Sequence, residues 1–196
     1  MPEPYIWFCL KAEEKMSKIN ESIICAGFGG QGIMILGKVL ASAGMASGLE
    51  VTYLPAYGVE VRGGTAYSMI KISSSLIGSP VVLEADTAII MNEPSLDKFE
   101  NAVKRGGLMI LNTSMSGRSS SRKDIEAVGV PLTDEAMKLG NAKVANIIAA
   151  GVFMQRRKVL DKAVMVKVIE GLAGGKKELA EINIMALERG MELGKK

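Results

Sequence analysis

A glycine-rich turn directly follows the first convincing strand, and it constrains the fold more than any other feature of the sequence. The apolar, β-prone run Ser22-Ile23-Ile24-Cys25-Ala26 leads into the motif Gly27-Phe28-Gly29-Gly30-Gln31-Gly32, after which apolar residues recur at helical spacing up to residue 47. Strand, glycine turn and helix in this order are typical of the first unit of a parallel sheet, because glycines let the chain reverse tightly. The sequence therefore predicts an α/β fold.

Two interpretations of this turn remain open. Free N–H groups at a helix start favour a phosphate, so the turn is a candidate for phosphate or cofactor binding through Gly27, Gly29, Gly30, Gln31 and Gly32. Close packing of a helix on a strand also demands small residues, so the glycines can be purely structural. A dinucleotide site has one defect. Leu54-Pro55-Ala56 stands where a dehydrogenase needs an acid for the ribose hydroxyls.

The remaining pattern predicts further strands at residues 50–55, 65–73, 87–91 and 108–111, with room for one more before the C-terminal helices. A helix beginning at Pro94 is expected to bury Val103 and to stop at Gly106-Gly107. Residues 114–123 read as an exposed, mobile loop, and the last third as three helices. This order predicts a three-layer α/β/α, Rossmann-like sheet, mostly parallel or mixed, with a helical C-terminal segment.

Composition narrows the classes of function. The chain has 196 residues and a net charge of +3, which suits one domain and gives no sign of nucleic-acid binding. Two cysteines cannot make a four-cysteine iron–sulfur site, and the absence of histidine removes the commonest metal ligand and general base. With no apolar run long enough for a membrane span, the sequence favours a cytoplasmic protein.

The N-terminal residues differ in pattern from the rest of the chain. Residues 1–15 include the apolar run Tyr5-Ile6-Trp7-Phe8-Cys9-Leu10, without the basic leader or the cleavage site of a signal peptide. We interpret residues 1–15 as an N-terminal extension or accessory arm, and residues 16–196 as the domain itself.

Two further segments are candidates for function because they follow predicted strands. Arg62 lies in the loop Tyr57-Gly58-Val59-Glu60-Val61-Arg62-Gly63-Gly64, where its planar side chain could contact an anion or a partner, or simply be solvated. Asn92 and Glu93 follow the strand that ends at Met91, and their simpler interpretation is the polar start of a helix. We expect both segments at the sheet edge that carries the glycine turn, with Tyr57, Glu60, Arg62, Gly63, Gly64, Asn92 and Glu93 as its candidate residues.

These motifs, taken together and in order, resemble the gamma subunit of 2-oxoacid:ferredoxin oxidoreductases. The resemblance is carried by four blocks: residues 25–32, the Tyr-Gly-x-Glu-x-Arg-Gly-Gly stretch at 57–64, the block Ala85-Asp86-Thr87 to Pro94, and residues 140–146. It covers residues 22–196 and leaves residues 1–15 unmatched. Ala56 departs from the serine that many relatives carry before the Tyr-Gly pair.

The resemblance implies a multi-subunit enzyme that converts a 2-oxoacid and coenzyme A to acyl-CoA, carbon dioxide and reduced ferredoxin. It implies alpha, beta and ferredoxin-like delta subunits as partners, which carry the thiamine diphosphate and the iron–sulfur clusters, so the isolated chain is expected to be inactive. A 2-oxoglutarate type is weakly favoured, and the glycine turn would lie near the coenzyme A approach. Alone, the chain could form a homodimer.

Three alternatives are kept open beside this interpretation. One is an independent nucleotide-binding Rossmann-like protein, which the missing ribose acid disfavours. Another is a subunit of an indolepyruvate oxidoreductase. In the third, the chain is a scaffold whose glycine turn only packs.

Overall fold

The computed structural model describes residues 18–56 and 65–195, and within these ranges it contains a six-stranded sheet and six α-helices. The strands are β1 (Asn20–Phe28), β2 (Glu50–Ala56), β3 (Thr65–Ser73), β4 (Ala85–Ile90), β5 (Val103–Asn112) and β6 (Glu126–Val130). The helices are α1 (Ile33–Ala46), α2 (Glu93–Phe99), α3 (Leu132–Lys138), α4 (Ala145–Arg157), α5 (Lys162–Leu172) and α6 (Lys177–Leu193). Short 3-10 turns occupy Glu100–Ala102 and Ala142–Val144.

The strands lie in the order β2-β3-β1-β4-β5-β6. Strands β1, β4, β5 and β6 pair in parallel, whereas β3 runs antiparallel to both of its neighbours, β1 and β2. The sheet is therefore mixed and mostly parallel, as the sequence predicts. Because β3 separates β2 from β1, the second strand of the chain is not the neighbour of the first.

Side chains of the sheet alternate between two cores. Ile23 and Cys25 of β1 face a large cluster beneath α1, α4 and α6, whereas Ile24 and Ala26 face a smaller cluster with Leu96 of α2. This alternation is the period of two that a strand buried on both faces requires. Helices thus cover both faces of the sheet, and the predicted three-layer arrangement is confirmed.

The helical C-terminal segment is held by a close crossing of α4 and α6. Every residue of α4 from Ala145 to Met154 is buried, so this helix lies inside the large core rather than on its surface. At the crossing, a Cβ on Gly190 would lie 2.0 Å from the backbone oxygen of Ile148, and one on Gly151 would lie 2.2 Å from that of Leu187. Only glycine permits this backbone contact, which docks α6 onto α4.

The expectation that Val103 belongs to a helix ending at Gly106-Gly107 is wrong. Helix α2 ends at Phe99, and Val103 is the first residue of β5, buried in the smaller core. The glycines lie within a bulge of β5, because Ala85 pairs with Val103 while Thr87 pairs with Leu108. Gly106 has a φ of +73°, a conformation that suits such a bulge and that resembles a helix stop in the sequence.

Two short elements near the far edge of the sheet complete the fold. Strand β6 occupies the place left open for a further strand. Helix α3 was not predicted. It has seven residues, no side-chain cap at Pro131 and an exposed Met137, so its periodic signal is weak. Within the part of the chain described, no helix is both long and apolar enough to cross a membrane.

Candidate functional site

The carboxyl ends of the parallel strands bring the predicted site segments to one edge of the sheet. Strand β1 ends at Phe28, the second residue of the glycine turn, and β4 ends at Ile90, before Met91 and Asn92. Strand β2 ends and β3 begins at this same edge, because Thr65 pairs with Phe28 and Ala56 pairs with Tyr67. Both residues that flank the segment 57–64 therefore lie at the sheet edge that carries the glycine turn, Thr65 directly beside Phe28 and Ala56 one strand further away.

The residues of that segment lie outside the described part of the chain. Tyr57, Glu60, Arg62, Gly63 and Gly64 remain candidates on the sequence alone. Their place at the shared edge stays a prediction.

Gln31 holds the glycine turn to the neighbouring loop. Its side-chain oxygen Oε1 accepts hydrogen bonds from the Phe28 N–H at 2.7 Å and from Asn92 Nδ2 at 3.0 Å. Its Nε2 group donates to the Met91 carbonyl at 3.2 Å. A side-chain amide is suited to this place because it accepts at one atom and donates at the other. Gln31 thus ties the turn after β1 to the turn after β4.

The network continues across the edge through a second buried amide. Asn112, at the end of β5, donates to the Met91 carbonyl at 3.2 Å and to Thr133 Oγ1 at 2.9 Å. Asn92 caps α2 by accepting from the Ser95 N–H at 2.9 Å, which confirms its interpretation as a helix start. Loops after three neighbouring strands and the start of α3 are therefore linked by neutral hydrogen-bonding groups.

Glu93 makes a contact outside this network. Its Oε2 accepts a hydrogen bond from the Gly117 N–H at 2.7 Å, so it helps to fix the loop of residues 114–123. The sequence did not predict this role.

The structure divides the glycines of the turn into two groups. A Cβ on Gly27 would lie 2.6 Å from Gln31 Oε1 and 2.9 Å from Met91 Cβ, and one on Gly32 would lie 2.4 Å from Asn146 Nδ2. Asn146 also donates to the Gly32 carbonyl at 3.0 Å. Packing within the chain thus accounts for the glycines at both ends of the turn, as the structural interpretation requires.

Gly29 and Gly30 have no such explanation in packing. Both are exposed, and a Cβ on either would meet nothing within 4 Å. Gly30 has a φ of +95°, which favours glycine, whereas Gly29 has no positive φ. These two residues precede α1, a helix of 14 residues that has no side-chain cap at its start, so their backbone is open to a ligand or partner.

A small cavity of about 230 Å³ adjoins this open side of the turn. Gly30, Gln31 and Met91 line one side, and Thr133 and Lys143 line the other. Lys143 adds a cation to the lining of the cavity that Gly30 also lines, which is compatible with an anionic group. In the described residues, no group of three His, Cys, Asp or Glu is arranged to hold a metal ion.

Three residues of the edge were missed in the sequence: Asn112, Thr133 and Asn146. Asn112 follows a predicted buried strand, just as Asn92 does, so the rule that identified Asn92 could have identified it as well. Thr133 lies in the helix that was not predicted. The 114-residue separation between Asn146 and Gly32 leaves no local signal of their contact.

The topology weakens the dinucleotide interpretation further. In such sites the ribose acid lies at the end of the strand beside β1, but here β3 occupies that position and runs the opposite way. The end of β2 is two strand spacings away, roughly 10 Å. A second-strand acid could not serve a nucleotide on the glycine turn.

The family follows from comparison with known proteins. A sequence model described as pyruvate ferredoxin/flavodoxin oxidoreductase matches residues 22–193. The chain belongs to this oxidoreductase family. The resemblance seen in the glycine turn and the later motifs is thereby confirmed, and the match begins at residue 22, so it does not include residues 1–15.

Two relatives of this oxidoreductase family show different chain lengths. The ketoisovalerate oxidoreductase subunit VorA of Methanothermobacter thermautotrophicus is 36% identical over 168 residues, covering 85% of this chain and 35% of the relative. The 2-oxoglutarate synthase subunit KorC of Methanocaldococcus jannaschii is 30% identical over 183 residues, covering 91% of this chain and 96% of the relative. The chain thus spans about a third of the VorA relative and nearly all of KorC.

Solved structures of the family share the fold. A 2-oxoglutarate:ferredoxin oxidoreductase from Magnetococcus marinus superposes with a TM-score of 0.83 at 22% identity, over 90% of this chain and 31% of that one. The gamma subunit of a keto/oxoacid ferredoxin oxidoreductase from Geobacter sulfurreducens gives 0.78 at 23% identity, over 89% and 98%. The predicted fold class is confirmed by both.

Proposed function

We propose that this chain is the gamma-type subunit of a multi-subunit 2-oxoacid:ferredoxin oxidoreductase. The enzyme would oxidatively decarboxylate a 2-oxoacid and transfer the acyl group to coenzyme A, reducing ferredoxin. The observation that carries the proposal is the family match over residues 22–193, together with a KorC relative of nearly the same length. On this proposal the enzyme is cytoplasmic.

Cofactors would be divided among the subunits. Thiamine diphosphate and the iron–sulfur clusters would lie on alpha, beta and ferredoxin-like delta partners. Cys25 supports this division, because burial raises the pKa of its thiol to about 12 and places it in the core beneath α1. A single cysteine packed in the core cannot supply the four thiolates that such a cluster needs.

The glycine turn would form this subunit's part of the shared active site. Gly29 and Gly30 expose backbone beside the uncapped start of α1, and Lys143 lines the adjoining cavity. These groups fit a phosphate of coenzyme A, which supplies the acyl-accepting thiol in such enzymes. Gln31 would act indirectly, by holding the turn in place through its three hydrogen bonds.

The proposed substrate is 2-oxoglutarate. The near-complete coverage of KorC supports it. A branched-chain 2-oxoacid is the second candidate, because the VorA relatives of ketoisovalerate oxidoreductase reach 36% identity.

The test is coexpression of the full chain with candidate thiamine-binding and ferredoxin-like subunits from the same organism, followed by affinity purification and an assay with each 2-oxoacid. We expect the subunits to copurify and 2-oxoglutarate to give the highest kcat/KM. A higher value for ketoisovalerate would reassign the substrate and keep the subunit role. Failure of the chain to copurify with any such partner would contradict the role itself.

A further inference from the structure

A large cavity lies at the opposite edge of the sheet from the glycine turn. It has a volume of about 820 Å³ and is bounded by the first residues of β1, the end of β3 and the loop of residues 74–84. Lys18, Lys71 and Lys104 line it, together with the side chains of Leu76 and Leu83. No part of the proposed active site reaches this groove, which we call the amino-edge groove.

The loop of residues 74–84 displays apolar side chains although it is fastened at both ends. The Ser74 N–H donates to the Ile19 carbonyl at 2.9 Å, and Ser22 Oγ donates to the Glu84 carbonyl at 3.2 Å. Between these points Leu76 is 90% exposed and Leu83 is 83% exposed. Two leucines held in water on a fixed loop, both lining one cavity, mark a surface that buries apolar groups of something else.

The groove also carries positive charge. Lys104 is paired with Asp86 at 2.7 Å, and Glu84 also lines the groove. Neither Lys18 nor Lys71 makes an ion pair with any described residue, so the lining keeps a net positive charge. An occupant with apolar side chains and nearby carboxylates would complement both features.

The chain itself contains a segment with apolar side chains and nearby carboxylates, and this segment joins the domain at the groove. Residues 1–17 join the domain at Lys18, which lines the groove. They include the apolar run Tyr5-Ile6-Trp7-Phe8-Cys9-Leu10 followed by Glu13 and Glu14. Leu10 lies eight residues before Lys18, and an extended chain of that length spans at most roughly 26 Å, so residues 5–10 are tethered close to the groove.

We propose that the amino-edge groove binds the chain's own N-terminal segment, with residues 5–10 packed on Leu76 and Leu83 and with Glu13 and Glu14 near Lys71. This segment lies outside the family match, so the contact is an addition to the family's domain rather than part of its shared site. The proposal is independent of the function proposed above.

Trp7 provides the test, because it is the only tryptophan of the chain. Its fluorescence in the full-length protein should be blue-shifted and protected from acrylamide. The double variant Leu76→Ser/Leu83→Ser should shift the emission to the red and raise the quenching constant several-fold. Lys71→Glu should do so in part, and its effect should shrink at high salt.

Met137→Ser is the matched control. Met137 is 65% exposed on α3, outside the groove, and its replacement should leave Trp7 emission unchanged. Circular dichroism verifies that each variant is folded. The substituted leucines are almost fully exposed, so their loss should cost little stability.

Three results would overturn the proposal. Free quenching of Trp7 in the wild-type protein would show that the segment is not docked. If Trp7 is protected from acrylamide but the groove substitutions do not change that protection, the N-terminal segment is docked at another surface. Protection that disappears on dilution would show that the segment of a second copy occupies the groove.

Discussion

At the scale of single residues, some glycines of the turn are required by packing, whereas others are exposed and are candidates for binding. Gly32 has a φ of +73° and is closely packed by Asn146, so Gly32→Ala should destabilise the subunit by about 1–3 kcal/mol. Gly29 is exposed with open space around it, so Gly29→Ala should leave the unfolding free energy within about 0.5 kcal/mol of wild type. Chemical denaturation of the isolated subunit measures both changes.

In the assembled enzyme, by contrast, Gly29→Ala should have a clear effect on function. If a ligand or partner approaches the exposed backbone, the added methyl group should lower activity or association although the subunit folds normally. Unchanged activity would favour the purely structural interpretation of the turn. Gly30→Val is a less selective test, because a φ of +95° strains a β-branched residue even in the isolated chain.

Gln31 should be sensitive to the charge of its replacement. In Gln31→Glu a carboxylate oxygen would face the Met91 carbonyl, which accepts from Nε2 at 3.2 Å in the wild type. Repulsion raises the pKa of that carboxyl in the folded state above its unfolded value. The variant should therefore be most stable at low pH, and should lose about 1–3 kcal/mol as the pH rises through the raised value.

Gln31→Met provides the comparison for this effect. It removes the same hydrogen bonds without adding a charge, so its loss of stability should not depend on the ionisation of residue 31. Urea denaturation across the acidic range would distinguish the two variants. Parallel pH profiles would contradict the assigned contact with Met91.

At the scale of elements, Glu100 organises the serine-rich loop of residues 114–123. Burial alone would raise the pKa of Glu100, but hydrogen bonds from Ser120, Ser121 and Arg118 outweigh it and lower the pKa to about 2. Arg122 also donates to the Glu100 carbonyl at 3.0 Å. The loop predicted from composition is present, yet it is fastened to a buried carboxylate rather than left free.

This carboxylate predicts a defined pH dependence. Because the pKa is lower in the folded state than its usual value of 4.5, the stabilisation is complete above pH 4.5 and is lost as the pH falls towards 2. Glu100→Gln should cost about 1–3 kcal/mol at neutral pH, and the difference from wild type should shrink in acid. Exposed Glu170→Gln serves as the control. An equal cost at every pH would contradict the ionised contact.

The elements that sequence reasoning identified correctly are those with a strong local pattern. Strands β1 and β4 were predicted because each contains a short, continuous apolar run, as expected for strands buried on both faces, and helix α1 was predicted because its apolar residues recur at helical spacing. The bulge in β5 was misjudged, since Gly106-Gly107 has the same local appearance as a helix stop. Helix α3 was missed because it is too short to show a period.

In the candidate site, too, sequence reasoning succeeded for local signals and failed for contacts between residues distant in sequence. The motif located the glycine turn, and the rule on strand ends located Asn92, because both signals are local in sequence. The contacts of Gln31 with Met91 and Asn92, and that of Asn146 with Gly32, join residues 60, 61 and 114 positions apart. Such pairs are determined by the order of strands in the sheet, which the antiparallel insertion of β3 made unpredictable from pattern alone.

At the scale of the whole molecule, the segment 57–64 is the candidate contact with partner subunits. The residues that flank it, Ala56 and Thr65, lie at the sheet edge that carries the glycine turn. Arg62→Glu should weaken copurification with the thiamine-binding partners and leave the thermal midpoint of the isolated subunit nearly unchanged, because we expect this side chain to be exposed and an exposed charge adds little stability. Unaltered copurification, or collapse of the isolated subunit, would show that the segment is internal architecture.

The central claim is that this chain completes an enzyme whose cofactors lie on other subunits. The most direct measurement is 2-oxoacid-dependent reduction of an electron acceptor by purified partner subunits, with and without the chain, and by the chain alone. We predict no turnover by the chain alone, low turnover by the partners alone and full turnover when both are combined, because in the proposed function the chemistry belongs to cofactors bound by the partner subunits. Turnover by the pure chain, or full activity of the partners without it, would contradict the account.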